Sequence, residues 1–138
     1  MIKSAFETWT SLVYGLFLAS PPCSALDTAL VSIKLGNLTF NPTTKVYSQT
    51  ATVTNTSASN ITGPLSLLVT HLTAGTTLAN ENGVTLCQLP TGSPYINLNL
   101  GAANVLLKGK STTVTLQFKN PNTGNITFTP KVAGPGSR

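Results

Sequence analysis

Hydrophobic and polar residues alternate most clearly near the end of the chain, over residues 111–132. Leu116 and Phe118 alternate with threonine and glutamine, and a second alternating run begins at Ile126. A period of two places apolar side chains on one face of a strand and polar side chains on the other. The intervening Asn-Pro-Asn-Thr-Gly-Asn favours a turn, because proline fixes φ while glycine and asparagine tolerate positive φ. The pattern predicts a two-stranded hairpin, which must pack against further strands to be stable.

Weaker alternation recurs upstream and predicts the further strands against which this hairpin would pack. Gly36 and Asn37 interrupt the first of them, which predicts a bulge or a change of sheet. Leu68 falls on the opposite face from Leu67, so its strand is predicted to be partly covered on both sides. The upstream strands are predicted at residues 30–40, 46–54, 64–72, 77–79, 84–89 and 95–100.

The turn signals between these segments complete the fold prediction. Asn82 followed by Gly83 is a strong turn signal, and residues 101–110 read as a connection whose apolar centre packs into the core. About seven short strands, with no amphipathic helix beyond the first 25 residues, are typical of an antiparallel β-sandwich. The sequence therefore predicts an all-β fold with one such sandwich.

Composition favours one extracellular domain. Only 8% of the 138 residues are charged, against about 25% in an average soluble domain. Threonine, serine and asparagine replace charge as the polar component, as is typical of extracellular all-β modules. The net charge of +5 comes from scattered cations and predicts a weakly basic surface. No basic run is interleaved with aromatic residues, so nucleic acid is not an expected partner.

The first 25 residues have the features of a secretory signal peptide. Lys3 lies near the start, an apolar run covers residues 12–19, and small residues lead to Ala25. We expect cleavage between Ala25 and Leu26, which leaves residues 26–138 as the domain, secreted or at the cell surface. The apolar run is shorter than the roughly 20 residues that span a bilayer, so no stable span is expected after cleavage. A retained anchor is the alternative.

The chain contains two cysteines, Cys23 and Cys87. Cleavage after Ala25 would leave Cys87 alone, with no internal disulfide. Its neighbours predict a small buried hydrophobe in a strand. A reactive thiol would need a nearby cation or helix N-terminus, and the local sequence offers neither.

The inventory of reactive side chains argues against an enzyme. After cleavage the acids are Asp27 and Glu81, and the only histidine is His71. A glycosidase needs two carboxylates close together, and a Ser-His-acid site would depend on His71. We expect His71 to be a surface or hydrogen-bonded residue at a strand end. One histidine, one cysteine and two acids do not easily complete a zinc or calcium shell, so no metal, cofactor or catalytic residue is predicted.

Three weaker signals remain. Gly109 begins a Gly-Lys-Ser-Thr sequence like the end of a phosphate-binding loop, but Asn104 stands where that motif needs glycine and a strand follows instead of a helix. Tyr47 and Tyr95 are candidates for a sugar-binding face, although packing with the hydroxyl at the rim explains each of them as well. Glycosylation sequons occur at Asn37, Asn55, Asn60 and Asn125.

Several short motifs carry a family resemblance. They are Thr-Val-Thr-Asn-Thr-Ser at residues 52–57, Gly-Pro-Leu at 63–65, Leu-Lys-Gly-Lys-Ser at 107–111, and the strand and Asn-Pro at 114–121. Together they resemble immunoglobulin-like or fibronectin-like sandwich modules of bacterial secreted and cell-surface proteins. The resemblance implies a fold and an extracytoplasmic setting, and no shared active site.

These observations predict a secreted, non-catalytic β-sandwich with a structural or adhesive role at the cell surface. One alternative is a fibre or pilus subunit, in which residues 26–35 add as a strand to a neighbouring subunit. Another is a carbohydrate-binding module that uses Tyr47 or Tyr95. The corresponding partners are other surface proteins, further copies of the chain, or polysaccharide.

Overall fold

A computed structural model describes residues 30–88, 90–121 and 125–134. These residues form strands, turns and bends with no helix, so the all-β prediction is confirmed. No helix in the described part of the chain is long and apolar enough to cross a membrane. The predicted leader, residues 1–25, and its cleavage site lie outside the described residues.

Eleven strands, more than the seven or so predicted, occur in the described residues. The extra ones are two- or three-residue segments that alternation cannot reveal. In chain order they are β1 (Val31–Leu35), β2 (Thr39–Asn41), β3 (Val46–Asn55), β4 (Ile61–Thr62), β5 (Ser66–Thr70), β6 (Thr77–Leu78), β7 (Gly83–Val84), β8 (Pro94–Asn97), β9 (Val105–Leu106), β10 (Ser111–Lys119) and β11 (Thr129–Ala133).

The strands form three antiparallel sheets. A five-stranded sheet has the order β1-β3-β10-β6, and β2 also pairs with β3. A four-stranded sheet has the order β11-β5-β8-β7, and β4 pairs with β9 in a separate two-stranded ribbon. The longest ladder joins β3 and β10 through eight residue pairs. Hydroxyl groups link these two strands on the polar face, with 3.0 Å between Thr52 Oγ1 and Thr113 Oγ1.

A single hydrophobic core contains residues from both large sheets. Val53 of β3 and Phe118 of β10 are completely buried, as are Leu67 and Val69 of β5. Burying one such side chain contributes about 1.5–3 kcal/mol. Buried side chains of both large sheets therefore contribute to one core.

The predicted hairpin over residues 111–132 is wrong. β10 pairs with β3 and β6, whereas β11 pairs with β5 in the other sheet. β10 and β11 therefore lie in different sheets and do not form a hairpin within one. Phe118 of β10 packs on Phe128, just before β11, with ring centroids 5.5 Å apart. Alternation indicates which face of a strand is apolar and does not indicate its partner, so the same pattern suits a hairpin or a crossing between sheets.

The interruption of the first predicted strand is a bulge within one sheet. Both halves, β1 and β2, pair with β3. Between them, the Gly36 N–H donates to Thr50 O at 2.8 Å, and Gln49 Nε2 donates to Gly36 O at 2.8 Å. A Cβ at position 36 would collide with Thr50 Oγ1, so a larger residue there would require the Thr50 side chain to rotate. In the segment of the fibre alternative, residues 31–35 pair with β3 within the chain, and residues 26–29 lie outside the described residues.

The structure also differs from two local predictions at residues 82–88. The predicted turn at Asn82 and Gly83 is replaced by pairing with β8: the Asn82 N–H donates to Tyr95 O, and Gly83 pairs with Tyr95 at the start of β7. The strand predicted over residues 84–89 ends at Val84. Beyond Val84, side-chain hydrogen bonds hold the chain in a loop, so the strand does not continue.

Asn55 anchors the loops at one end of the molecule. Its side chain is completely buried, and its Nδ2 donates to Ser59 O at 2.8 Å and to Leu106 O at 2.9 Å. Its Oδ1 accepts hydrogen bonds from the backbone N–H and the hydroxyl of Ser57. The amide is fully used inside the protein, so the sequon at Asn55 does not present an accessible acceptor for a glycan.

We expect Asn55→Ala to lower the free energy of unfolding by about 2–4 kcal/mol, because it leaves buried backbone groups without partners. Urea unfolding monitored by circular dichroism measures this change. Asn60→Ala is the matched control: Asn60 is exposed and its Oδ1 accepts a bond from the Lys108 N–H, so a loss of about 1 kcal/mol or less is expected. Equal losses in the two variants would contradict the role of Asn55.

Candidate functional site

A cleft of about 400 Å³ lies where β5 ends and β6 begins. It gathers His71 and Glu81, which the sequence places ten positions apart, together with Ser93. The sequence does not predict this proximity, because only the fold brings the ends of β5, β6 and the loop before β8 together. The lining residues are Val69, His71, Leu72, Thr76, Thr77, Leu78, Glu81, Val84 and residues 90–94.

The hydrogen bonds of the cleft do not join these three groups into a catalytic relay. His71 is exposed just after β5, with φ of 54°, and its Nδ1 lies 3.3 Å from Thr70 Oγ1. Ser93 is buried, and its hydroxyl donates to Pro90 O at 2.5 Å. The Ser93 proton is thus directed to a backbone carbonyl instead of an imidazole. The prediction that His71 is a hydrogen-bonded residue at a strand end is confirmed.

The loop beside this cleft is held by its own hydroxyl groups. Thr85 Oγ1 donates to Pro90 O at 3.1 Å and accepts from the Ser93 N–H at 3.0 Å. The Gly92 N–H also donates to Thr85 O, at 2.7 Å. Thr85 is 1% exposed, so these contacts are internal supports of the loop.

A second cleft, of about 740 Å³, lies beside the β2–β3 turn. Its described lining combines an aromatic ring, two cations and an amide: Phe40, Thr44, Lys45, Lys119, Asn120 and Pro121. The turn is fixed by Asn41, whose Oδ1 accepts the Thr43 N–H at 2.9 Å and whose carbonyl accepts the Lys45 N–H at 2.8 Å. Lys45 adopts φ of 61° as the chain enters β3.

Phe40 is the exposed aromatic of this cleft. It retains 45% of its surface and packs on Tyr47, with ring centroids 4.7 Å apart and planes tilted by 43°. Tyr47 is half-buried against the core. The pair gives a supported aromatic surface that alternation did not reveal, because Phe40 belongs to a strand of only three residues.

The two predicted sugar-binding tyrosines do not share a face. Tyr47 lies in the five-stranded sheet and Tyr95 in the four-stranded sheet. Tyr95 extends its ring over Gly83, where a methyl group would lie 2.6 Å from Tyr95 Oη and 2.9 Å from Cζ. Tyr95 therefore packs against the neighbouring backbone, while Tyr47 packs against the ring of Phe40.

Cys87 differs from its prediction. It is exposed in the loop between β7 and β8, and its sulfur is in a disulfide bond. The prediction of a buried, unpaired thiol is therefore wrong, because the loop closes where a strand was expected. The other cysteine in the sequence, Cys23, lies outside the described residues.

The Gly-Lys-Ser-Thr sequence forms a turn that leads into β10. The Gly109 N–H donates to Asn55 O and the Lys110 N–H donates to Leu107 O, each at 2.9 Å. These bonds use the amides that a phosphate-binding loop would direct at its ligand. Among the described residues, no group of three or more His, Cys, Asp or Glu side chains is arranged to hold a metal ion.

Comparisons of the chain with protein families, curated proteins and solved structures find no match.

The packing of Tyr95 leads to a double-mutant prediction. We expect Gly83→Ala to destabilise the protein by about 1–2 kcal/mol, because the new methyl group displaces the Tyr95 ring. In a Tyr95→Ala background the same change should be neutral or stabilising, since alanine loses less backbone entropy than glycine on folding. Thermal unfolding of the four proteins measures the coupling.

Gly134→Ala is the control for this cycle, because a Cβ there meets nothing within 4 Å. Its effect should be the same in the Tyr95→Ala background as in the unmodified protein. If Gly83→Ala costs as much without the Tyr95 ring as with it, the ring does not pack on Gly83 as described.

Proposed function

We propose that this chain is a secreted, non-catalytic module with an immunoglobulin-like β-sandwich fold and an adhesive role at the cell surface. Two antiparallel sheets with one shared core support the sandwich. The charge-poor composition supports an extracellular setting. The adhesive role rests on one observation, the exposed Phe40 ring supported by Tyr47 at the edge of the 740 Å³ cleft.

An exposed aromatic ring on a rigid sheet is suited to an apolar, flat ligand surface. Phe40 belongs to β2 and packs on a half-buried ring, so it is held in place before any ligand arrives. Aromatic packing of this kind contributes about 0.5–1.5 kcal/mol beyond area burial. The C–H faces of sugar rings offer such a surface, which favours polysaccharide over a protein as the ligand.

The flanking cations indicate which polysaccharide. Lys45 and Lys119 line the same cleft as Phe40 and are both exposed. Lysine acts as a flexible point charge toward carboxylate or sulfate groups. The cleft therefore suits an acidic polysaccharide such as a polyuronate, with Phe40 stacking on a sugar ring and the lysines facing its carboxylates.

The test is binding of the purified protein to an immobilised polyuronate and to a neutral glucan. We expect selective binding to the polyuronate, a roughly tenfold loss of affinity in Phe40→Ala, equivalent to about 1.4 kcal/mol, and weaker binding at high salt. Lys45→Gln and Lys119→Gln should each reduce the salt dependence.

Two variants control for the general effect of removing an exposed apolar or charged side chain. Leu107→Ala removes an apolar side chain of similar exposure, 50%, elsewhere on the protein, and Lys34→Gln removes a cation from β1. Both should bind as the unmodified protein does. Binding that is unaffected by Phe40→Ala, or equal loss in the control variants, would reject this site as the adhesive surface.

A further inference from the structure

The described part of the chain contains one acid, Glu81, and this residue lines the 400 Å³ cleft at the end of β5. The described residues also include six lysines, and none of them lines this cleft. Within the described chain, no lysine or histidine forms an ion pair with the exposed Glu81 carboxylate. The carboxylate is therefore available to a cation from solvent, although the protein as a whole is basic.

Asn80 fixes the backbone on the N-terminal side of Glu81. Its Oδ1 accepts the Gln117 N–H at 3.1 Å, and its Nδ2 donates to Thr115 O at 2.8 Å. Both partners are on β10, so this one amide side chain pairs with the strand as a neighbouring strand would. Residue 80 is therefore held against the five-stranded sheet.

Asn82 fixes the backbone on the C-terminal side of Glu81. Its N–H donates to Tyr95 O at 2.8 Å, and its Oδ1 accepts the Asn97 N–H at 2.7 Å. Both partners are on β8 of the four-stranded sheet. Glu81 thus lies at a junction between the two large sheets. Because its backbone is held before any ligand arrives, binding at its carboxylate has a smaller ordering cost.

The rest of the cleft lining is largely apolar. Val69 and Leu78 belong to the core, and Val84 retains 44% of its surface, so it offers apolar area that a ligand can cover. The hydroxyl of Ser93 is already used, because it donates to Pro90 O. The cleft therefore combines an apolar surface with one anionic group that has no partner in the described chain.

We propose that this cleft binds a small alkylammonium ion, with its ammonium group at Glu81 and its alkyl chain on Leu78 and Val84. The volume of about 400 Å³ lies within the range of about 300–1,000 Å³ that is usual for small-molecule sites. An ammonium group donates up to three hydrogen bonds and carries the charge that complements a carboxylate. An anionic ligand would be repelled by Glu81, and a neutral alcohol would gain no charge interaction.

This site is distinct from the cleft beside the β2–β3 turn, and it does not depend on the function proposed there. The two clefts are adjacent: Asn120 of the second cleft donates to Thr76 Oγ1 of the first at 2.9 Å. Their charges are nevertheless opposite, since Lys45 and Lys119 line the second cleft and Glu81 lines the first. Neighbouring clefts of one protein thus favour ligands of opposite charge.

Titration of the ¹⁵N-labelled protein with hexylamine, followed through amide chemical shifts, tests the site. We expect saturable shifts in residues 78–84 and 91–93, weaker binding of hexanol, and no saturable shifts there with hexanoate. Ethylamine should bind at least about tenfold more weakly than hexylamine, because its shorter chain buries less apolar surface. Shifts that increase linearly without saturation, or equal affinities for hexylamine and hexanol, would overturn the proposal.

Substitution of Glu81 separates a specific site from a general effect of charge. Glu81→Gln keeps the size of the side chain and removes its charge, so hexylamine affinity should fall about fivefold while hexanol affinity stays unchanged. Ser32→Lys is the matched control, because it also makes the protein more positive by one charge. Ser32 is exposed on β1, at the opposite edge of the five-stranded sheet from β6.

Ser32→Lys should bind hexylamine as the unmodified protein does, and so should Phe40→Ala, which alters only the other cleft. The amide spectra of all three variants show whether each one is folded. Equal losses of affinity in Glu81→Gln and Ser32→Lys would indicate an effect of net charge alone and would overturn the proposed site. Full hexylamine affinity in Glu81→Gln would overturn it as well.

Discussion

The packing of the inward face of β3 and β10 is the interaction on which the other elements of this structure depend. Ala51, Val53, Leu116 and Phe118 of these two strands are completely buried. An apolar sheet face of this kind is unstable in water and must be covered. Leu67 and Val69 of β5, in the four-stranded sheet, belong to the same buried core, so residues of both large sheets cover this face.

The burial of this core also constrains the polar groups of the molecule. The chain carries little charge, and hydroxyl and amide groups bond to each other or to the backbone. Thr54 Oγ1 lies 2.7 Å from Ser111 Oγ on the outer face of the ladder. At the end of the ladder, Asn55 donates hydrogen bonds to the backbone carbonyls of the adjacent loops. Because buried polar groups without partners are costly, these bonds fix loop conformations that the core alone leaves undetermined.

The sequence predicts faces well and partners poorly. Alternation correctly places Leu116 and Phe118 inward and identifies Leu68 as covered on its second face, since a period of two is a local property. The pairing of β11 with β5 instead of β10 depends on the path of the chain between sheets, which no local pattern encodes. The approach of His71 and Glu81 to one cleft, and the supporting contact of Phe40 with Tyr47, depend on that path as well.

Two tyrosines that look equivalent in the sequence have different roles because of their neighbours. Tyr95 faces a glycine, so its ring lies down on the adjacent strand and becomes part of the sheet surface. Tyr47 faces Phe40, so it supports a second ring that remains exposed beside two lysines. Tyr47 therefore supports an exposed aromatic side chain, whereas Tyr95 covers the backbone of the adjacent strand. The proposed ligand surface is accordingly at the β2–β3 turn, where Phe40 stays 45% exposed beside Lys45 and Lys119.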